Sequence, residues 1–224
     1  MKRNRLLLVL LMSLSTVFAW SADGDSFTAT TEGGVVLNFK VISEEAKTCQ
    51  VGDNRNCVLS ESGVLVIPEM ANGYSVVDII ENAFHGCTNI KSVTISKNIM
   101  MYDVNGVSLG KESPFKNCSY IQEISIECSR FGDWFAGLES LKTVRIGSGV
   151  TEISDNALSS RYRNLSCSNI ESIIVDAENT KFDSRDKCNA IIDSETNSLI
   201  FGFMLIFLHI HNTKYFIILI RFIL

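Results

Sequence analysis

Few side chains in this 224-residue chain could do chemistry, and their spacing argues against most of it. The three histidines are His85, His209 and His211, and there are seven cysteines. His85 stands two residues before Cys87. A Cys–His pair works as nucleophile and base only when the thiol is exposed and the ring lies within hydrogen-bond reach. Cys87 occupies a recurrent apolar position and is expected to be buried, with His85 pointing outwards. His209 and His211 alternate along an extended stretch and share a face, which is half of a metal site, but no third ligand of the usual type stands near. Asp176, Glu178, Asp183, Asp186 and Asp193 crowd one stretch that could attract calcium. They lack the D-x-D-x-D-G spacing of a calcium loop and read as a solvated acidic face. No catalytic residue, metal or cofactor is expected, and the chain reads as a non-enzyme.

The elements that carry these residues follow from a phrase that returns four times. It reads Asn89-Ile90-Lys91-Ser92-Val93-Thr94-Ile95, then Tyr120-Ile121-Gln122-Glu123-Ile124-Ser125-Ile126. It returns as Ser140-Leu141-Lys142-Thr143-Val144-Arg145-Ile146 and Asn169-Ile170-Glu171-Ser172-Ile173-Ile174-Val175. Aliphatic residues hold positions 1, 4 and 6 of Φ-x-x-Φ-x-Φ, and the alternation at its end is the period of a strand with one buried face. One such unit cannot bury its apolar side, whereas stacked copies can, which predicts a solenoid. Six residues upstream of the first three copies stand Phe84, Phe115 and Phe135, followed after three residues by Cys87, Cys118 and Leu138. The fourth copy is irregular, with Ala157 and Leu158 opening it and Leu165 and Cys167 resuming the lining. Copies start 31, 20 and 29 residues apart, so the solenoid is ragged.

The same phasing governs the cysteines. Cys87, Cys118 and Cys167 hold one lining position in successive coils, where a small buried thiol is expected. Cys49 and Cys57 lie outside the repeat, across a stretch that reads as a turn. A disulfide across that hairpin and two separate thiols are both open readings. Cys128 and Cys188 are assigned only to packing.

The run Val76-Val77-Asp78-Ile79-Ile80-Glu81-Asn82-Ala83-Phe84-His85-Gly86-Cys87-Thr88-Asn89-Ile90-Lys91-Ser92-Val93-Thr94-Ile95 resembles the BspA-like leucine-rich repeat, roughly I-x-x-x-A-F-x-G-C-x-x-L-x-x-V-x-I-P. Residues 175–192, with Phe182-Asp183-Ser184-Arg185 and Cys188-Asn189-Ala190-Ile191-Ile192, are similar to the N-x-x-[YF]-D-S-R-x-x-C-N-A-I-I insert between repeats of that family. Val64-Leu65-Val66-Ile67-Pro68 and Asn72-Gly73-Tyr74-Ser75-Val76 resemble the lead-in to its first repeat. The resemblance covers about residues 27–202. It implies a surface-exposed or secreted protein of anaerobic Gram-negative bacteria, adhesin-like and without catalytic residues.

The N-terminus agrees with export. Lys2, Arg3 and Arg5 precede a short apolar core at Leu6 to Leu14, the layout of a signal peptide over residues 1–19, with cleavage after Ala19 or, second, Ala22. No cysteine stands near either site, so no lipoprotein is expected. The net charge of −5 becomes −8 once three basic residues before Ala19 are removed, which disfavours nucleic acid as a partner. Only two prolines occur and no linker divides the chain. Residues 23–68 read as a small β cap over the open end of the first coil, with strands at 34–42 and 49–51. Residues 69–179 form the four repeats, and residues 180–202 a hairpin insert turning at 194–197. The apolar tail at 203–224 departs from the family pattern and reads either as a membrane span or as a non-native continuation after an interrupted frame. Membrane contact is expected only if that tail is an anchor. Asn117-Cys118-Ser119 and Asn164-Leu165-Ser166 match the glycosylation sequon, relevant only where secretion runs through an endoplasmic reticulum.

The expected architecture is therefore a β-rich leucine-rich-repeat solenoid with one short strand per coil, a loop or short helix on the convex side, a small β cap and a hairpin insert. Its concave face is expected to present Lys91, Ser92 and Thr94, then Gln122, Glu123 and Ser125. Lys142, Thr143 and Arg145 follow, and Glu171, Ser172 and Ile174 close the series. The expected role is adhesin-like binding of host or bacterial proteins or glycans by a secreted or cell-surface protein. A structural cell-envelope protein, or a truncated remnant of a longer repeat protein, is the alternative.

Overall fold

Alternating isoleucine and valine favour extended backbone, because a branched Cβ loses rotamer freedom in a helix and packs well on a pleated surface. Each copy of the phrase is accordingly a strand. A computed structural model describes residues 22–32, 34–52, 62–104, 112–160, 165–210 and 213–221. Its strands begin with β1 (Ser26–Thr30), β2 (Val36–Ser43), β3 (Thr48–Val51), β4 (Val64–Val66), β5 (Met70–Ala71) and β6 (Tyr74–Ile79). They continue with β7 (Ser92–Ile95), β8 (Glu123–Ile126), β9 (Arg130–Phe131), β10 (Thr143–Ile146), β11 (Glu152–Ile153), β12 (Ser159–Ser160) and β13 (Leu165–Ser166). The last are β14 (Ser172–Val175), β15 (Phe182–Asp183), β16 (Ala190–Asp193), β17 (Leu199–Ile210) and β18 (Thr213–Arg221).

Strands β4, β7, β8, β10 and β14 lie side by side in chain order as a parallel sheet. The register sets like against like. Leu65, Val93, Ile124, Val144 and Ile173 make one inward column, and Ile95, Ile126, Ile146 and Val175 a second. Ile90, Ile121, Leu141 and Ile170 are buried beneath them. Opposite the sheet, the Phe84, Phe115 and Phe135 rings stack with centroids 5.3 and 4.9 Å apart. The Cys118 thiol donates to the Phe84 carbonyl of the preceding coil at 2.9 Å, and Cys167 to Phe135 at 3.3 Å. The convex side is made of turns among the described residues. Two residues after each phenylalanine the chain turns left-handed, at Gly86 (φ 69°), Asn117 (φ 62°) and Gly137 (φ 80°). Glycine enters that region without a Cβ penalty and asparagine tolerates it, which explains both residue types there.

The cap is a second five-stranded sheet, ordered β1-β2-β3-β6-β5. Its β2 and β3 fall where alternation places strands, while β1 adds one that the sequence reading leaves out. The strands interleave across the expected boundary at residue 68: β4 joins the solenoid sheet, whereas β5 and β6 beyond it join the cap.

The insert forms an antiparallel sheet ordered β15-β16-β17-β18, with the turn at 194–196 in the expected place. The tail is extended rather than helical. Phe203 pairs with Arg221 and Ile210 with Thr213 in one antiparallel ladder. No helix among the described residues is long and apolar enough to cross a membrane.

A candidate recognition face

The outward residues of the parallel strands make a grid, because parallel register carries each position into the same row of the next coil. The Gln122 amide donates to the Lys91 carbonyl at 2.7 Å, Lys142 to Gln122 at 2.8 Å, and Glu171 to Lys142 at 2.8 Å. Lys91, Gln122, Lys142 and Glu171 thus form the first column, and all four are exposed. Ser92, Glu123, Thr143 and Ser172 form the second, and Thr94, Ser125, Arg145 and Ile174 the third. All twelve expected face residues come together, in three columns of four.

Two ion pairs cross between rows. Arg145 Nε donates to Glu123 Oε1 at 2.6 Å, and Lys142 Nζ to Glu171 Oε1 at 2.9 Å. The Ser125 hydroxyl donates to Glu127 Oε1 at 2.7 Å. Exposed pairs of this kind are worth little in stability, and here they set opposite charges against one another across the rows. The face therefore offers hydroxyls, an amide and mutually paired charges, with Lys91 carrying no ion pair among the described residues.

Two face residues escape the sequence reading. Val64 opposes Ser92 and Val66 opposes Thr94, so β4 adds a row at the N-terminal end of the grid. Val64-Leu65-Val66 has the right alternation, but the Phe and Cys that mark the later coils do not precede it. Apolar side chains stand at both ends of the grid, Val64 at one and Ile174 at the other.

Three of the five acidic residues, Asp176, Asp183 and Asp193, are occupied by the protein itself. Asp183 accepts from Arg185 and the Ser194 hydroxyl, and the Arg185 guanidinium holds its carboxyl down at about 2. Asp193 accepts from the Thr196 and Glu195 amides and pairs with Lys181 at 3.0 Å, and the Thr196 bond holds it at about 2 as well. Asp176 caps the Glu178 amide at 2.8 Å. His85 is exposed, with Nε2 2.9 Å from Asn117 Nδ2 rather than facing a thiol. His209 lies in β17 opposite Lys214, and His211 lies outside the described residues.

No disulfide joins one described cysteine to another. Cys87, Cys118 and Cys167 are buried at the expected lining position, and Cys128 is buried with its thiol on the Arg130 carbonyl at 3.1 Å. Cys188 is exposed, which corrects its assignment to packing. Cys49 is buried in β3, and Cys57 lies outside the described residues.

The family model described as a BspA type leucine rich repeat region matches residues 66–189 and 108–215, with six copies. Among curated proteins none matches the chain in sequence. Solved structures of similar fold include the pneumococcal vaccine antigen PcpA, 12% identical with TM-score 0.42, covering 81% of this chain and 56% of its own. The chain thus spans little more than half the length of that relative. A leucine-rich-repeat protein of T. pallidum is 17% identical with TM-score 0.36, covering 66% of this chain and 67% of its own. A leucine-rich cell-surface protein of Faecalibacterium prausnitzii is 13% identical with TM-score 0.28, covering 77% and 60%.

Proposed function

We propose, on the footing that the chain belongs to the BspA-type leucine-rich-repeat family, that it is an exported recognition protein, secreted or held at the cell surface. It binds proteins or glycans of host or bacterial surfaces through the concave grid and carries out no catalysis. The observation that carries this reading is the register of the grid. Side chains repeat about every 4.8 Å along each column, on a backbone held by a parallel hydrogen-bond ladder. Such a surface meets a partner with little reordering, and the cost of ordering side chains is a large part of what weakens association. The paired charges favour partners that hydrogen-bond over partners that only neutralise.

A steric wedge tests this better than charge reversal, since reversing Lys142 or Arg145 would also strip Glu171 or Glu123 of its partner. Thr143 stands mid-grid, half-buried, and tryptophan is well tolerated in strands. The folded chain is screened against extracellular-matrix proteins, bacterial surfaces and glycans, with heat-unfolded protein as control. Saturable binding of at least one of them is expected, weakened about tenfold or more in Thr143→Trp at unchanged melting temperature, as for a central hot-spot position. Equal binding by the folded variant would remove the grid from the reading.

A further inference from the structure

The cap sheet is strongly curled. β1 and β6 are separated by β2 and β3 in its order, which in a flat sheet would put them about 14 Å apart. Yet the Phe27 ring on β1 meets the Tyr74 ring on β6 at 5.5 Å between centroids, and stacks on Phe39 of β2 at 5.3 Å. Curling brings the two edge strands, β1 and β5, towards one another without joining them. A cleft of about 1010 Å³ is lined by residues of both and by Val66 of β4, the outermost strand of the parallel sheet. Its lining reaches Thr94 of the concave grid.

Open strand edges of exported proteins are normally guarded by lysine, proline, bulges or a covering segment, because unpaired backbone groups recruit other chains. β1 reads Ser26-Phe27-Thr28-Ala29-Thr30 and carries neither charge nor proline. Its ladder with β2 is anchored by the Thr31 amide on the Val35 carbonyl at 2.7 Å and the Val41 amide on the Asp25 carbonyl at 2.8 Å. The antiparallel alternation then turns the backbone groups of Phe27 and Ala29 towards β2, and those of Thr28 and Thr30 away from it. The Thr31 hydroxyl, on the cleft wall, is 7% exposed and has no hydrogen-bond partner among the described residues. The charges lining the cleft have one sign: Glu32, Glu69 and Glu127 contribute carboxylates and no lysine or arginine contributes. Among the described residues only Glu69 of these has a counterion, Lys97 at 2.6 Å. Val36 and Met70, 61% and 53% exposed, supply apolar footing.

We propose that this cleft takes an extended, cationic polypeptide segment as an added strand on β1. The amides and carbonyls of Thr28 and Thr30, on the side of β1 that pairs with no strand among the described residues, supply the affinity common to strand addition, and the carboxylates and apolar footing select lysine- or arginine-bearing, alternately apolar segments. This site borders the grid at Val66 and Thr94 and does not depend on the grid's role.

The test is fluorescence anisotropy of the full chain with a labelled peptide of alternating lysine and valine, beside a matched peptide of alternating glutamate and valine. Saturable, salt-sensitive binding of the cationic peptide is expected, with hydrogen exchange showing new protection at the Thr28 and Thr30 amides. Thr28→Pro deletes a donor on the open side while sparing the β2 ladder, and should weaken binding about tenfold. Thr143→Trp should bind the peptide as wild type does, so that failure of either site is distinguishable. The proposal is overturned by equal binding of the acidic peptide, by binding without protection at Thr28 and Thr30, or by unchanged binding in a folded Thr28→Pro. Should that variant not fold, the exchange data decide on their own.

Discussion

A thiol's environment decides whether it reacts, because only the thiolate attacks and burial disfavours it. Burial pushes Cys49 and Cys128 up to about 11. Cys87, Cys118 and Cys167 sit in the core, where Cys118 and Cys167 donate to carbonyls of the preceding coil. Cys188 alone among the described cysteines reaches solvent. Brief iodoacetamide treatment of the native protein followed by peptide mass mapping should therefore label Cys188, and label these five only after unfolding. Fast native labelling of Cys118 would contradict its place in the coil. Unfolding without reductant also tests the pairing of Cys49 with Cys57, since a Cys49 that still resists label would establish the disulfide. Cys87, Cys118 and Cys167 were legible in the sequence because they recur in phase with Phe84, Phe115 and Phe135. Cys188 was not, because the insert does not repeat within the chain and no period says which way its residues point.

Parallel strands leave an edge wherever the stack stops, and at the edge of β14 the Asn189 side chain covers it, with the Ser184 hydroxyl donating to the Ile173 carbonyl at 3.4 Å beside it. The Asn189 amide stands in for a missing strand: its oxygen accepts from the Ile173 amide at 2.5 Å, and its nitrogen donates to the Glu171 carbonyl at 3.0 Å. Asn179 ties the insert back similarly, donating to the Gly147 and Val150 carbonyls at 2.7 and 3.0 Å. Asn189→Ala should lower stability by about 1–3 kcal/mol, the cost of stranding polar groups at a covered edge. Glu195→Ala, which removes one exposed ion-pair partner, should stay within about 0.5 kcal/mol. Urea melts of the two variants check this, and equal midpoints would show that the asparagine does not cap the sheet. The strands themselves were legible, because period-2 aliphatics in register state both the element and its buried face. Their allotment to sheets was not. Tyr74–Ile79 alternates as the repeat strands do, and only its non-local pairing with β3 places it in the cap. The tail was ambiguous for another reason, since a continuous apolar run gives the same signal for helix and strand.

The molecule is held by different forces at its two ends, and acid should separate them. The coils rest on stacked phenylalanines and inward aliphatic columns, which do not titrate. The insert adds charged contacts to its buried Phe182, Ile191 and Phe201: Asp183 with Arg185 and Ser194, and Asp193 with Lys181 and the 194–196 turn. Both carboxyls sit at about 2, below the 3.8 of an unperturbed aspartate. A carboxyl depressed by folding stabilises the folded state above its unfolded value, and that contribution disappears as pH falls through the folded value. The insert should thus hold fully near pH 4 and above, and weaken as pH approaches about 2. Asp183 is half-buried and partly screened by solvent, so its share of the effect is modest and salt-sensitive, whereas Asp193 is buried. As the insert loosens, Asn189 leaves the edge of β14, and an uncovered edge recruits other strands. Acidification should first remove hydrogen-exchange protection over residues 180–202, then produce association, while the amides around Phe115 stay protected. The double variant Asp183→Asn and Asp193→Asn should flatten this dependence. Simultaneous loss of protection in coils and insert would mean that the molecule melts as one cooperative unit, and that the insert's charges do not set its acid limit.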